Sequence, residues 1–270
     1  MTNESRGNRI QVFLRDRKGR LAAVPHGMVP TGGLGGSANA AIDPLGSQGS
    51  LMYDRESQML FAVNAGDNTV TAFDTGALGW PLQRRARVSS GGYIPVSLAV
   101  SENRLYVLNA GGTGAVTTFE IGEHGELMQL GSLNLGLQTS ATSIPFAQVP
   151  APGQVGVDAL SRHLIITHAG GQEVLTVQLN DQGLPAGPLV STLSPGAGPF
   201  SFAVTHYGTT IVAEAAASAW LSPDGSRPKA RGWSWRNARP ASRSAASTSC
   251  RAWAHPPSGS RPATSARRTR

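Results

Sequence analysis

The chain has 270 residues and a formal net charge of +7, length enough for one large all-β domain or two small ones. A basic excess first suggests a phosphate-bearing partner, but residues 1–217 carry 12 Lys and Arg against 15 Asp and Glu, while residues 218–270 carry 11 against 1. The charge therefore belongs to a tail. A nucleic-acid-binding domain needs its basic stripe on a folded face, so no nucleic acid is expected on the folded part. A single cysteine, Cys250, lies in the tail, which rules out an internal disulfide and any cysteine-based metal site. No metal and no cofactor is expected. No apolar run approaches the roughly 18 residues of a spanning helix, so no membrane association is expected. Residues 1–25 also lack the apolar core of a signal peptide. The chain as written thus points to the cytoplasm, with export open if the natural start lies upstream.

In chain order, the opening residues 2–14 (TNESRGNRIQVFL) read as two short runs around a turn, followed by a glycine-rich loop over 27–49. A strand is predicted over 50–53, then a hairpin over 60–74 (LFAVNAGDNTVTAFD) and a further strand over 83–88. The same sequence of elements returns at 96–100, 105–120 (LYVLNAGGTGAVTTFE) and 127–133, and again at 155–157, 164–179 (LIITHAGGQEVLTVQL) and 188–193. Between the last two sets lies a long loop over 134–153. A fourth set begins at 200–205 and 209–213. Each hairpin pairs two β-rich runs around a short glycine-containing turn. The turn positions Asn64, Asn109 and His168 follow one another at 45 and 59 residues.

Four strands in roughly 40–50 residues, repeated, is the pattern of a propeller blade. A β-sandwich also has short strands at regular spacing, but it gives no reason for self-similarity between units. The fold class expected is all-β: a β-propeller of four-stranded antiparallel blades, incomplete, with about three full blades and parts of two more. Residues 1–217 form this partial propeller. The opening residues correspond to the middle hairpin of a blade whose first two strands are absent or reduced. After Ala217 the composition changes: residues 218–270 contain no Val, Ile, Phe, Tyr or Met, but hold four of the five Trp. Such a tail cannot bury enough apolar surface to offset its ordering entropy. It is read as a disordered basic tail or as a segment translated out of frame.

Residues 45–51 (LGSQGSL), 60–73, 95–111 (PVSLAVSENRLYVLNAG) and 199–215 (PFSFAVTHYGTTIVAEA) occur in an order that resembles the lactonase-like, YVTN-type seven-bladed propellers. This is the family of bacterial 6-phosphogluconolactonase and of carboxy-cis,cis-muconate cyclase. The resemblance implies hydrolysis of a sugar lactone, or opening and closing of a muconolactone-type ring, by a monomer if the ring is complete. It also favours Glu214 as the catalytic acid/base, since a Glu recurs in that strand. The muconate cyclase branch carries a His just before a strand-opening segment, and the matching positions here are Gln48 and Gln154. Gln can orient a substrate oxygen but cannot transfer a proton at neutral pH.

Strand alternation places the hairpin turns and the two long loops on one face, which makes it the expected binding side for a small lactone or carbohydrate. Asn64, Asn109 and His168 end equivalent strands there, either as turn formers or as substrate contacts. Glu214 ends the fourth such strand, at the expected mouth of a central channel, where a carboxylate can serve as general acid or base or bond nearby turn amides. No GxGxxG, P-loop, HExxH or GxSxG pattern is present, and the turns fit no calcium loop spacing. The alternative to an enzyme is a non-catalytic propeller that binds a ligand or a protein on the same face. For the chain as given, with open strand edges, little or no activity is expected.

Overall fold

The structure, a computed structural model, describes residues 1–36, 45–77, 79–137 and 151–215. The tail over 218–270, and parts of both long loops, lie outside the described residues.

Sixteen strands occupy the described residues. Blade A comprises β3 (Leu51–Asp54), β4 (Met59–Asn64), β5 (Thr69–Asp74) and β6 (Gln83–Ser89). Blade B comprises β7 (Pro95–Ser101), β8 (Arg104–Asn109), β9 (Ala115–Ile121) and β10 (Leu127–Asn134). Blade C comprises β11 (Pro152–Val157), β12 (His163–His168), β13 (Glu173–Gln178) and β14 (Val190–Leu193). Each is a four-stranded antiparallel sheet whose strands lie in chain order. Two further sheets have two strands each: β1 (Arg9–Arg15) with β2 (Leu21–Pro30), and β15 (Pro199–Val204) with β16 (Thr210–Glu214). The all-β propeller architecture, with three full blades and two partial ones, is as the repeats predict.

Burial is deepest in β4, β5, β7, β8, β9 and β12, which neighbouring blades cover on both faces, and falls away at the rim. β8 is buried from Leu105 to Asn109, whereas all four residues of β14 are exposed. Inner strands accordingly read as near-continuous apolar runs and outer strands as polar ones. Phe61, Val63 and Val70 of blade A, Leu98, Leu105 and Phe119 of blade B, and Leu164 and Ile166 of blade C belong to one buried cluster. Ile10 joins Ala62 and Phe73 in a second cluster.

The first sheet has its first two strands reduced, as the repeats predict, and departs from expectation at its outer edge. β1 and β2 correspond to the outer strands of a blade, and residues 27–30, expected in a loop, belong to β2. The pairing runs from Arg9↔Pro30 to Gln11↔Met28 and resumes at Phe13↔Ala23. The residues left over between Ala23 and Met28 break the alternation that marks a strand, with His26 at a φ of 57°. A remnant of the preceding strand survives: Thr2 donates its amide to Arg9 O at 2.7 Å and Asn3 its amide to Asn8 Oδ1 at 2.9 Å.

Three of the innermost strands share one irregularity, which β3 lacks. β7, β11 and β15 each open on a proline followed by a bulge, between Pro95 and Ser97, Pro152 and Gln154, and Pro199 and Ser201. The polar residue after the bulge reaches the next blade. Ser97 Oγ accepts the amide of Val155 at 3.2 Å. Gln154 accepts the amide of Phe202 at 2.9 Å and donates to its carbonyl at 3.2 Å. On the opposite face Tyr106, itself 1 % exposed, donates its hydroxyl to Gly183 O at 2.8 Å. Burial pushes this phenol up to about 12.

Two substitutions separate these contacts by size. Asn64→Ala strands several buried polar groups at once and is expected to cost about 3 kcal/mol. Tyr106→Phe removes a single hydrogen bond, with an expected cost of about 1 kcal/mol. Urea denaturation midpoints of the full chain measure both.

Candidate functional site

The last residue of each second strand holds the same register. Asn64 pairs with Thr69, Asn109 with Ala115 and His168 with Glu173 across the hairpin, while Asn109, His168 and Glu214 face Pro95, Pro152 and Pro199 on the inner strand. In each unit where the connection leading into the blade is described, this side chain packs against it, and a glycine makes room. A Cβ on Gly33 would collide with the Asn64 side chain, one on Gly92 would lie 2.7 Å from Asn109 Cγ, and one on Gly196 would collide with the Glu214 carboxylate.

The contacts differ from blade to blade. Asn64 is fully buried; its Oδ1 accepts from Asn8 Nδ2 at 3.0 Å and Thr31 Oγ1 at 2.7 Å. Its Nδ2 donates to Thr69 Oγ1 at 3.0 Å and Thr71 Oγ1 at 2.9 Å. Asn109, also buried, donates to Ser90 O and to Thr117 Oγ1, both at 3.1 Å. These two side chains are enclosed by the fold.

His168 is 6 % exposed. Its Nδ1 lies 2.8 Å from Glu173 Oε1, and Ser191 donates its hydroxyl to the other oxygen of Glu173. Burial works against the charge on Glu173, but the bonds from Ser191 and His168 outweigh it and hold the carboxyl below its ordinary range. An ionised carboxylate only accepts, so it is His168 Nδ1 that carries the proton in this pair.

Glu214 is half-buried. Its Oε1 accepts the Ser194 hydroxyl at 2.5 Å and the Gly196 amide at 2.7 Å, while Oε2 accepts no hydrogen bond among the described residues. The segment that supplies those donors also meets blade C: Gln172 Nε2 donates to Gly196 O at 3.1 Å and Ser194 N to Gln172 O at 2.8 Å. Glu214 and the hairpin turn next to His168 are thereby joined through one short connection, 194–198.

The two glutamines occupy different settings. Gln154 lies within β11 with both side-chain amide atoms bonded to Phe202. Gln48 is exposed, three residues before β3, and its amide donates to Gly153 O at 2.9 Å. That bond carries it to the start of the innermost strand two blades on.

Glu173, Ser191, Ser194 and Gly196 were not singled out from the sequence. A usable signal existed for Glu173: it follows His168 by five residues, as Thr69 follows Asn64, which makes it the cross-strand partner. Among the described residues no group of three or more His, Cys, Asp or Glu could hold a metal ion, and no helix is long and apolar enough to cross a membrane.

The family described as "Lactonase, 7-bladed beta-propeller" matches residues 39–211. No curated protein sequence matches the chain. Among solved structures, the periplasmic gluconolactonase of Pseudomonas aeruginosa is similar at 19% identity and a TM-score of 0.56, over 76% of this chain and 56% of that one. A 6-phosphogluconolactonase candidate from Bacteroides uniformis is similar at 16% identity and a TM-score of 0.52, over 71% of this chain and 54% of that one. A protein from Lactobacillus plantarum is similar at 14% identity and a TM-score of 0.52, over 77% and 59%. The chain thus spans little more than half the length of these neighbours, whose likeness bears on the fold. With the family match running through well over half of its residues, the chain belongs to the lactonase family of seven-bladed β-propellers.

Proposed function

We propose that the face carrying Glu214 hydrolyses a lactone, with Glu214 as general base and then general acid. The observation that carries this reading is the asymmetry of the carboxylate: two donors fix Oε1, while Oε2 accepts no hydrogen bond among the described residues and is placed to accept a proton. A water bound at Oε2 would lose its proton to Glu214 as its oxygen attacks the lactone carbonyl. Collapse of the tetrahedral adduct breaks the ring C–O bond, and the proton returns from Glu214 to the departing ring oxygen, giving the open hydroxy acid. A positioned carboxylate of this kind contributes on the order of 100-fold or more. Gln48, exposed and anchored through its backbone, is suited to orient the ring oxygens by hydrogen bonding. Gln154 would act indirectly, by holding β15 and hence its partner β16. The substrate class is a sugar lactone of the gluconolactone type, with a muconolactone-type ring as the second candidate.

One observation favours a non-catalytic ligand-binding propeller instead: Asn64 and Asn109, at the positions equivalent to Glu214, serve the packing of the fold. In that case Glu214 is a third tether and nothing more.

Gluconolactone hydrolysis followed by proton release separates the two readings. Open strand edges argue for little activity, but Glu214 and both of its donors lie within this chain, so the full chain is expected to exceed spontaneous hydrolysis, and Glu214→Gln to lower kcat/KM by about 100-fold while keeping most of the stability. No rate above background, or an unchanged rate in Glu214→Gln, removes the enzyme reading. Gly196→Ala pushes against the carboxylate and is expected to reduce kcat on the order of 100-fold, the scale of an ångström-sized misplacement.

A further inference from the structure

The hairpin turn of blade B departs from its repeats. Blades A and C turn in four residues, 65–68 and 169–172, and both use a side chain there: Asp67 accepts the Thr69 hydroxyl at 2.9 Å, and Gln172 bonds Gly196. The turn between β8 and β9, residues 110–114 (AGGTG), is one residue longer and nearly bare of side chains. Gly112 and Gly114 stand at φ values of 66° and 68°, which favour glycine.

What this turn leaves is a cleft of about 660 Å³ on the same face as Glu214 but in blade B, bounded by Tyr93, Ser132, Asn134, Leu137 and the glycines. The volume falls within the range of small-molecule sites, about 300–1,000 Å³. Tyr93 is 50 % exposed, and its ring rests on Gly112, where a Cβ would come 3.7 Å from Cδ2. Its backbone is pinned by the Gly111 amide, which donates to Tyr93 O at 2.8 Å. Asn134 Oδ1 accepts from Thr113 Oγ1 at 2.9 Å and from the Gly136 amide at 2.8 Å. That fixes the side chain, while its Nδ2 donates to nothing among the described residues. None of the described residues bounding the cleft is charged.

We propose that this cleft binds a neutral pyranose, with the C–H face of the sugar ring on Tyr93 and Leu137 and its hydroxyl edge toward Asn134 Nδ2 and Ser132 Oγ. A half-exposed aromatic ring offers apolar area at little cost in conformational entropy, and a fixed amide supplies the directional contact. A phosphorylated sugar would bring a dianion into a cleft whose described lining holds no cation, at a desolvation cost those residues do not offset. The site is independent of the reaction assigned to Glu214.

The test is titration of the full chain with methyl β-glucoside and with glucose 6-phosphate, read by NMR. The glucoside is expected to bind saturably, with a Kd on the order of 1 mM, and to move the amide resonances of Gly111, Gly112 and Gly114. Tyr93→Ala should weaken it at least about tenfold, a loss of roughly 1.4 kcal/mol, while Tyr93→Phe and Glu214→Gln bind as the parent does. No saturable binding by the parent, shifts confined to other residues, unchanged binding by Tyr93→Ala, or tighter binding of the phosphate would overturn the proposal.

Discussion

The architecture depends on one polar contact made again in each unit where the connection entering the blade is described: the end of the second strand is clamped to that connection. Apolar cores hold neighbouring blades together without direction, and a sheet packed only by such contacts can slide or rotate. Asn64, with two donors converging on one atom and two acceptors on the other, removes that freedom. It can do so only because Gly33 lies against it without a side chain. Inside the protein such a group gains from low dielectric when every bond is made and costs dearly when one is lost. The clamp is therefore intolerant of change, whereas β14 at the rim, exposed along its whole length, is not.

The same position is the one at which the proposed chemistry is placed. Asn gives way to His in blade C and to Glu in the last unit, and with each change the titratable character rises while the geometry persists. Glu214 keeps the bonds to its entry connection but uses only one of its oxygens for them. On the proposed reading, a structural position becomes a reactive one when its side chain keeps an oxygen that accepts no hydrogen bond among the described residues. This is how a family fold can host function without a new backbone, since function resides in the site and not in the architecture.

Much of the fold was legible in the sequence because propeller blades repeat. Alternation gave the strands, turn glycines gave the hairpins, and the recurrence of both excluded a sandwich. β2 was hidden because the residues between Ala23 and Met28 interrupt its period. The functional residues were less accessible. The positions of Asn64, Asn109, His168 and Glu214 could be aligned, but not the burial of the two asparagines, since a short polar residue at a turn looks the same enclosed or exposed. Gln48 and Gln154 looked equivalent by their glycine neighbours. Their settings differ because one precedes its strand and the other follows a bulge within it. The partners of Glu214 come from a connection 18–20 residues earlier, a separation that no local pattern records.

The bulge that opens β7, β11 and β15 has a consequence for the geometry of the assembly. By rotating one polar side chain sideways, it converts a strand residue into a spacer between blades. A serine there takes the amide of Val155 alone, while the longer glutamine engages both backbone groups of Phe202. The reach of that single side chain is one of the quantities that set how widely neighbouring blades splay. Divergence at this position therefore adjusts curvature stepwise, one inter-blade wedge at a time, while the blades themselves stay unchanged.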